Sequence, residues 1–166
     1  MGNNLVGYEN VMMLMAPQDI AGTATASAYV DLKTANEAMI WVVVGNITTA
    51  SADQLTGPVV TIQASTAASS NATESNYEFT YRLSGTLNAN TWATEATATA
   101  GLDLTVTGDN KIIGIRVDPS AIAAIGADFR YVRAVITPGT GGAATRPCVL
   151  AALDVKYKQA TFTSAT

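Results

Sequence analysis

From Tyr77 to Ser84 the chain alternates without a fault: Tyr77, Phe79, Tyr81 and Leu83 are apolar, while Glu78, Thr80, Arg82 and Ser84 are polar. A period of two belongs to a strand with one face on a core and the other in water. The same period runs through Val60, Ile62 and Ala64, through Leu102, Leu104 and Val106, and through Val149, Ala151, Leu153, Val155 and Tyr157. Ala38–Val44 is instead a continuous apolar run, rich in β-branched residues, too short for an ordinary helix and stopped by Gly45-Asn46. We read it as a strand buried on both faces. Tyr8–Ala16, Tyr29–Leu32, Lys111–Val117 and Phe129–Thr137 add further extended segments.

Turn clusters, not helices, separate these segments. Ala67–Asn76 is small and polar, Gly108-Asp109-Asn110 is a turn, and Pro138–Ala144 is a glycine-rich loop. Asp118-Pro119-Ser120 signals a helix start and Gly126 a stop, which predicts one short helical turn over 119–125. Parallel strands need long crossovers, usually helices, so the sheets must be antiparallel. The expected fold is all-β, an antiparallel β-sandwich of jelly-roll-like form. Its 166 residues suit one domain: 1–28 as an N-terminal arm or first strand, 29–158 as the sandwich, and 159–166 as a polar tail.

Only 13% of the residues are charged, against about a quarter in ordinary soluble domains. The net charge of −4 and a pI near 4.6 argue against nucleic acid as a partner, because phosphate recognition needs a basic face. Through Tyr81 the only cation is Lys33, set against seven acids, whereas eight cations and six acids follow from Arg82 onward. Such a polarised chain offers an acidic half to the basic half of a neighbour. No apolar run approaches the ~18 residues of a membrane span, and no basic segment precedes Val11–Ala16 as in a signal peptide. No membrane partner is expected, and the cytosol is the expected place of folding.

The chain has no histidine and a single cysteine, Cys148. Nucleophile systems that rely on histidine are therefore excluded, as are zinc sites of histidine and cysteine and any internal disulfide. Gly139-Thr140-Gly141-Gly142 lacks the lysine of a phosphate loop. Asp103 and Asp109 near the Gly108 turn are read as solvated acids in preference to calcium ligands. No enzyme activity, cofactor or metal is expected. What stands out are contact residues: the apolar Val11, Met12, Met13 and Leu14 near the N-terminus, Trp92 in a polar loop, and Arg130 and Arg133. The odd spacing of the two arginines places them on opposite faces of a regular strand, one toward solvent and the other toward a strand edge or a subunit contact.

Four segments carry a resemblance. Tyr29-Val-Asp-Leu-Lys33 leads into Met39–Val44 and Gly45; Val59–Ser65 ends in Gln63-Ala-Ser-Thr66; Lys111-Ile-Ile-Gly-Ile-Arg-Val-Asp118 precedes a helical turn; and Phe129-Arg-Tyr-Val-Arg-Ala-Val-Ile-Thr137 precedes a final strand. In this order, over residues 29–157, the chain resembles the jelly-roll head proteins of tailed bacteriophages that decorate or cement capsids. The resemblance implies a virion structural protein on the capsid exterior, assembled in the host cytoplasm. It also implies a homo-oligomer, a trimer above all, that bridges major capsid protein subunits, and it carries no residue-level motif. A tail or neck component and a carbohydrate-binding or adhesive β-sandwich module are the alternatives.

Overall fold

The structure is a computed structural model that describes residues 11–20, 22–47, 57–69, 72–85, 90–104, 110–139 and 145–156. Its strands are β1 (Val11–Met15), β2 (Thr25–Ala26), β3 (Val30–Asp31), β4 (Ala35–Val43), β5 (Val59–Ser65), β6 (Glu74–Tyr77), β7 (Phe79–Leu83), β8 (Ala96–Ala98), β9 (Leu102–Asp103), β10 (Ile112–Val117), β11 (Tyr131–Thr137) and β12 (Cys148–Val155). One helix, α1 (Pro119–Ala123), lies where the helix signals predict it. Asp118 caps α1, its carboxylate accepting from the Ser120 backbone at 2.8 Å, and Ile122 is buried beneath.

All pairings among these strands are antiparallel, in two sheets. Sheet A runs β1-β12-β4-β10-β7-β8, and sheet B runs β2-β11-β5-β6, with β3 on β11 and β9 on β5. The pairs nest like the two legs of one long hairpin: β1 with β12, β2 and β3 with β11, β4 with β10, and β5 with β6. A hairpin rolled so that its legs alternate between two sheets is a jelly roll. β7 and β8 extend sheet A beyond β10, and the backbone of Ala28 donates to Leu14 across the sandwich edge at 2.9 Å.

The core is the space between the sheets. Ile40 and Val42 of β4, Ile113 and Ile115 of β10, and Val149 of β12 are fully buried from one side. Val60, Ile62, Val132 and Ile136 of β5 and β11 are fully buried from the other. Each sheet therefore alternates along its central strands, apart from Ala152 of β12 and Ser65 of β5, which are also buried.

Two expectations need correction. The alternating stretch Tyr77–Ser84 is not one strand, because the chain passes from β6 in sheet B to β7 in sheet A at Glu78. Both sheets face one core, so the in–out parity continues across the corner and hides it. Nor is Ala38–Val44 buried on both faces. Ala38, Ile40 and Val42 are, but Met39, Trp41 and Val43 are only half-buried, on the outer side of sheet A. The small polar strands β2, β6 and β8 carry too little apolar pattern to be seen in the sequence. The glycine-rich loop and the tail of 159–166 fall largely or wholly outside the described residues.

Gly101 holds one tight corner of the roll. Its φ is +118°, and a Cβ there would stand 2.8 Å from Val59 Cγ1 and 2.9 Å from Thr61 Cγ2. Gly101→Ala is expected to destabilise the fold by about 2–4 kcal/mol, combining backbone strain with overpacking. Chemical denaturation of the two proteins checks this.

Candidate interaction surface

Register decides what the outer face of sheet A presents. Met39, Trp41 and Val43 of β4 stand opposite Ala152, Leu150 and Cys148 of β12 on one side. On the other side they stand opposite Arg116, Gly114 and Ile112 of β10. Beyond β12, Val11 and Met13 of β1 join the rows of Ala152 and Leu150. Side chains directly opposite share a face, so four neighbouring strands carry one largely apolar stripe, in which Ala152 is fully buried and Arg116 is charged. Val11 is 50% exposed, Met13 62% and Ile112 38%.

Trp92 completes the stripe. A backbone bridge pairs it with Ser84, just past the end of β7. Its ring lies over Gly114: a Cβ at that position would be 3.4 Å from Trp92 Cζ3 and 3.8 Å from Trp41 Cδ1. The missing side chain of Gly114 thus makes room for two tryptophans that are far apart in sequence. Trp92 remains 46% exposed. Charge lies at the stripe's borders: Arg116 pairs with Glu37 at 3.2 Å, Arg82 pairs with Glu95 at 3.8 Å, and Asp154, opposite Glu37, accepts from Asn36 at 3.4 Å.

The outer face of sheet B is built differently. Arg133 of β11 binds Glu74 of β6 at 2.6 Å and Gln63 of β5 at 3.0 and 3.1 Å, and its guanidinium lies 4.7 Å from the centroid of the Tyr29 ring. The Tyr29 hydroxyl donates to the same Glu74 carboxylate, and its ring meets Tyr131 edge to face. Arg130 lies over Tyr131, donates to its hydroxyl, and pairs with Asp31 at 3.2 Å. These contacts tie β3 and β6 to the strands between them. Burial pushes the Tyr29 phenol above its usual value, as does its bond to Glu74.

The structure divides the contact residues read from sequence. Val11, Met13 and Trp92 share the stripe. Leu14 is buried and Met12 packs against the core: alternation turns both inward, and the register shift between Met13 and Met15 brings the next odd residue, Met15, in as well. Arg130 and Arg133 belong to the opposite sheet and are satisfied within the chain. The odd-spacing argument failed because Arg130 precedes β11 and is not in the strand. The charge asymmetry is also spent internally, since Arg116–Glu37, Arg130–Asp31, Arg133–Glu74 and Arg146–Asp19 each join the cationic half of the chain to the acidic half. Sequence reasoning missed Leu150, Met39 and Val43 as surface groups. Their signal was an apolar run with no polar alternate.

Among the described residues no three of Cys, Asp and Glu converge as metal ligands, and Asp109 lies outside them. No helix there is long and apolar enough to cross a membrane. Neither protein-family models, nor curated proteins, nor solved structures give a match to this chain.

Two outcomes follow from these faces. Gly114→Val fills the space beneath Trp92, so tryptophan emission is expected to shift to the red while circular dichroism is retained. The raised Tyr29 phenol gives the folded state extra protons above the unfolded value of 10.0, so stability is full below that pH and falls as pH rises through and beyond it. Tyr77, raised chiefly by burial, adds to the same fall. Thermal unfolding across alkaline pH should show the loss, and Tyr29→Phe should flatten part of it.

Proposed function

We propose that this chain is a virion structural protein that decorates and stabilises a phage capsid by bridging major capsid protein subunits. The observation that carries the reading is the stripe on sheet A: an apolar centre containing two tryptophans and several methionine and aliphatic side chains, with charged residues at its borders. That is the anatomy of a protein–protein contact, with an apolar core inside a polar rim. Jelly rolls serve as capsid subunits and also as lectins and cupins, so the fold supports the reading only by analogy. A sugar site needs convergent hydrogen-bonding groups beside its aromatic platform. Met13, Leu150, Val43 and Ile112 around the tryptophans have no side-chain donors to offer, which favours a protein partner over a glycan.

The physical logic of decoration is repetition. A contact of about 800 Å² per partner is modest alone. Repeated at every seam of a shell, with each copy engaging two subunits, it resists the separation of those subunits cooperatively. Purified protein added to empty capsids is expected to co-sediment with them and to raise their melting temperature. A protein that leaves capsid melting unchanged, and is instead retained on a polysaccharide column, would replace this reading with the glycan-binding one.

A further inference from the structure

Register lays out the outer face of sheet B in two rows. Arg133 of β11 stands opposite Gln63 of β5, and Gln63 opposite Asn76 of β6. In the neighbouring row Asp31 of β3 stands opposite Tyr131 of β11, Tyr131 opposite Ser65, and Ser65 opposite Glu74. Tyr29, just before β3, sends its hydroxyl across β11 and β5 to Glu74, so its ring lies along the sheet. Ser65 points outward yet is fully buried, because the larger side chains around it close over the backbone. Tyr29 and Tyr131 stay partly exposed, and the Glu74 side chain is 27% exposed.

We propose that this face binds a neutral saccharide, seated against Tyr29 and Tyr131 and hydrogen-bonded by Glu74, Gln63 and Asn76. It lies on the sheet that the assembly reading leaves unused, so the two stand separately. The outer faces of the two sheets point in opposite directions, and a copy held through sheet A keeps sheet B open.

The groups match that ligand in kind. Side-chain amides donate and accept, and a carboxylate accepts, which suits neighbouring sugar hydroxyls that do both. Phenol rings beside them receive the apolar C–H face of a pyranose. The groups are also held in place. Arg133 binds Glu74 Oε1 at 2.6 Å and Gln63 Oε1 at 3.0 and 3.1 Å, and the Gln63 amide nitrogen donates to Asn76 Oδ1 at 3.4 Å. Glu74 Oε2 and the Asn76 amide nitrogen take no part in these bonds. A ligand therefore meets fixed acceptors and donors, with little side-chain freedom left to lose. Arg133 is the positioning residue of this arrangement.

Charge selects the same class. Arg133–Glu74 and Arg130–Asp31, the latter at 3.2 Å, are two cations matched by two anions, so the patch favours neither an anionic nor a cationic ligand. A dry protein partner would have to desolvate both pairs. A saccharide instead brings hydroxyls that replace the displaced water. An open face buries little of one sugar ring, so a polymer that offers many units is the effective ligand.

Affinity electrophoresis of the full chain tests the site, in native gels that contain dextran, mannan, laminarin or xylan, with alginate as the anionic probe. At least one neutral polysaccharide is expected to retard the native protein, and its free oligosaccharide to release it. Asn76→Ala and Glu74→Gln are each expected to weaken that binding about tenfold, because each leaves a sugar hydroxyl unpaired. Both should keep the native circular dichroism, Asn76 being exposed and glutamine matching glutamate in shape. Glu74→Gln decides the matter if Asn76→Ala misfolds. Retardation by none of the neutral polysaccharides, retardation by alginate alone, or binding that survives both variants overturns the site. Capsid co-sedimentation of the same proteins separates this site from the assembly reading. Variants that lose the polysaccharide and keep the capsid uphold both. Polysaccharide binding that the variants lose, in a protein that ignores capsids, upholds the site and removes the decoration role, while capsid binding without polysaccharide binding does the reverse.

Discussion

Everything in this molecule is referred to the register of β4. It is paired along its length with β12 on one side and with β10 on the other, and all three strands must agree on which residues point inward. A slip of one residue would turn Trp41, Met39 and Val43 into a core shaped for Ala38, Ile40 and Val42. The volumes do not exchange, so the slip is prohibitive in a close-packed interior. The same register sets the outer face. Because Trp41 stands between Leu150 and Gly114, Trp92 has a place to lie, and the apolar stripe becomes continuous across four strands.

The two outer faces solve opposite problems. Sheet B has short strands at its margins, β3 and β6, whose own apolar content cannot hold them. Arg133 stacks on Tyr29 and binds Glu74 and Gln63, joining β6, β5 and β11 through side chains where the ladders are brief. Planar guanidinium groups suit this, since they stack and donate at once. Sheet A needs no such ties because its central strands are long. Its outer residues are free to be apolar, and Val11, Met13, Trp92 and Ile112 stand exposed there.

Parity was legible in the sequence; partnership was not. The alternation of Phe79, Tyr81 and Leu83, of Val60, Ile62 and Ala64, and of Val149, Ala151 and Leu153 named the inward residues correctly, because period two is a local property of the chain. It could not show that Tyr77 and Phe79 lie in different sheets, since both sheets look onto one core. Trp92 was visible as a lone aromatic in a polar stretch, but its seat on Gly114 beside Trp41 depends on strands brought together from distant parts of the chain.

The sequence by itself determined the class of the fold, the short helical turn at Pro119, and the chemistry the chain lacks. Those follow from residue types and short-range spacing: no histidine, one cysteine, period-two strands, and a capped proline start. Only the tertiary structure decided which strands neighbour one another, that four acids of the first half pair with four arginines of the second, and that an apparently buried strand has an outward apolar side. The physical reason is that side-chain direction is set within two residues of backbone. Cross-strand pairing is set by the packing of the whole core, which no local window of sequence contains.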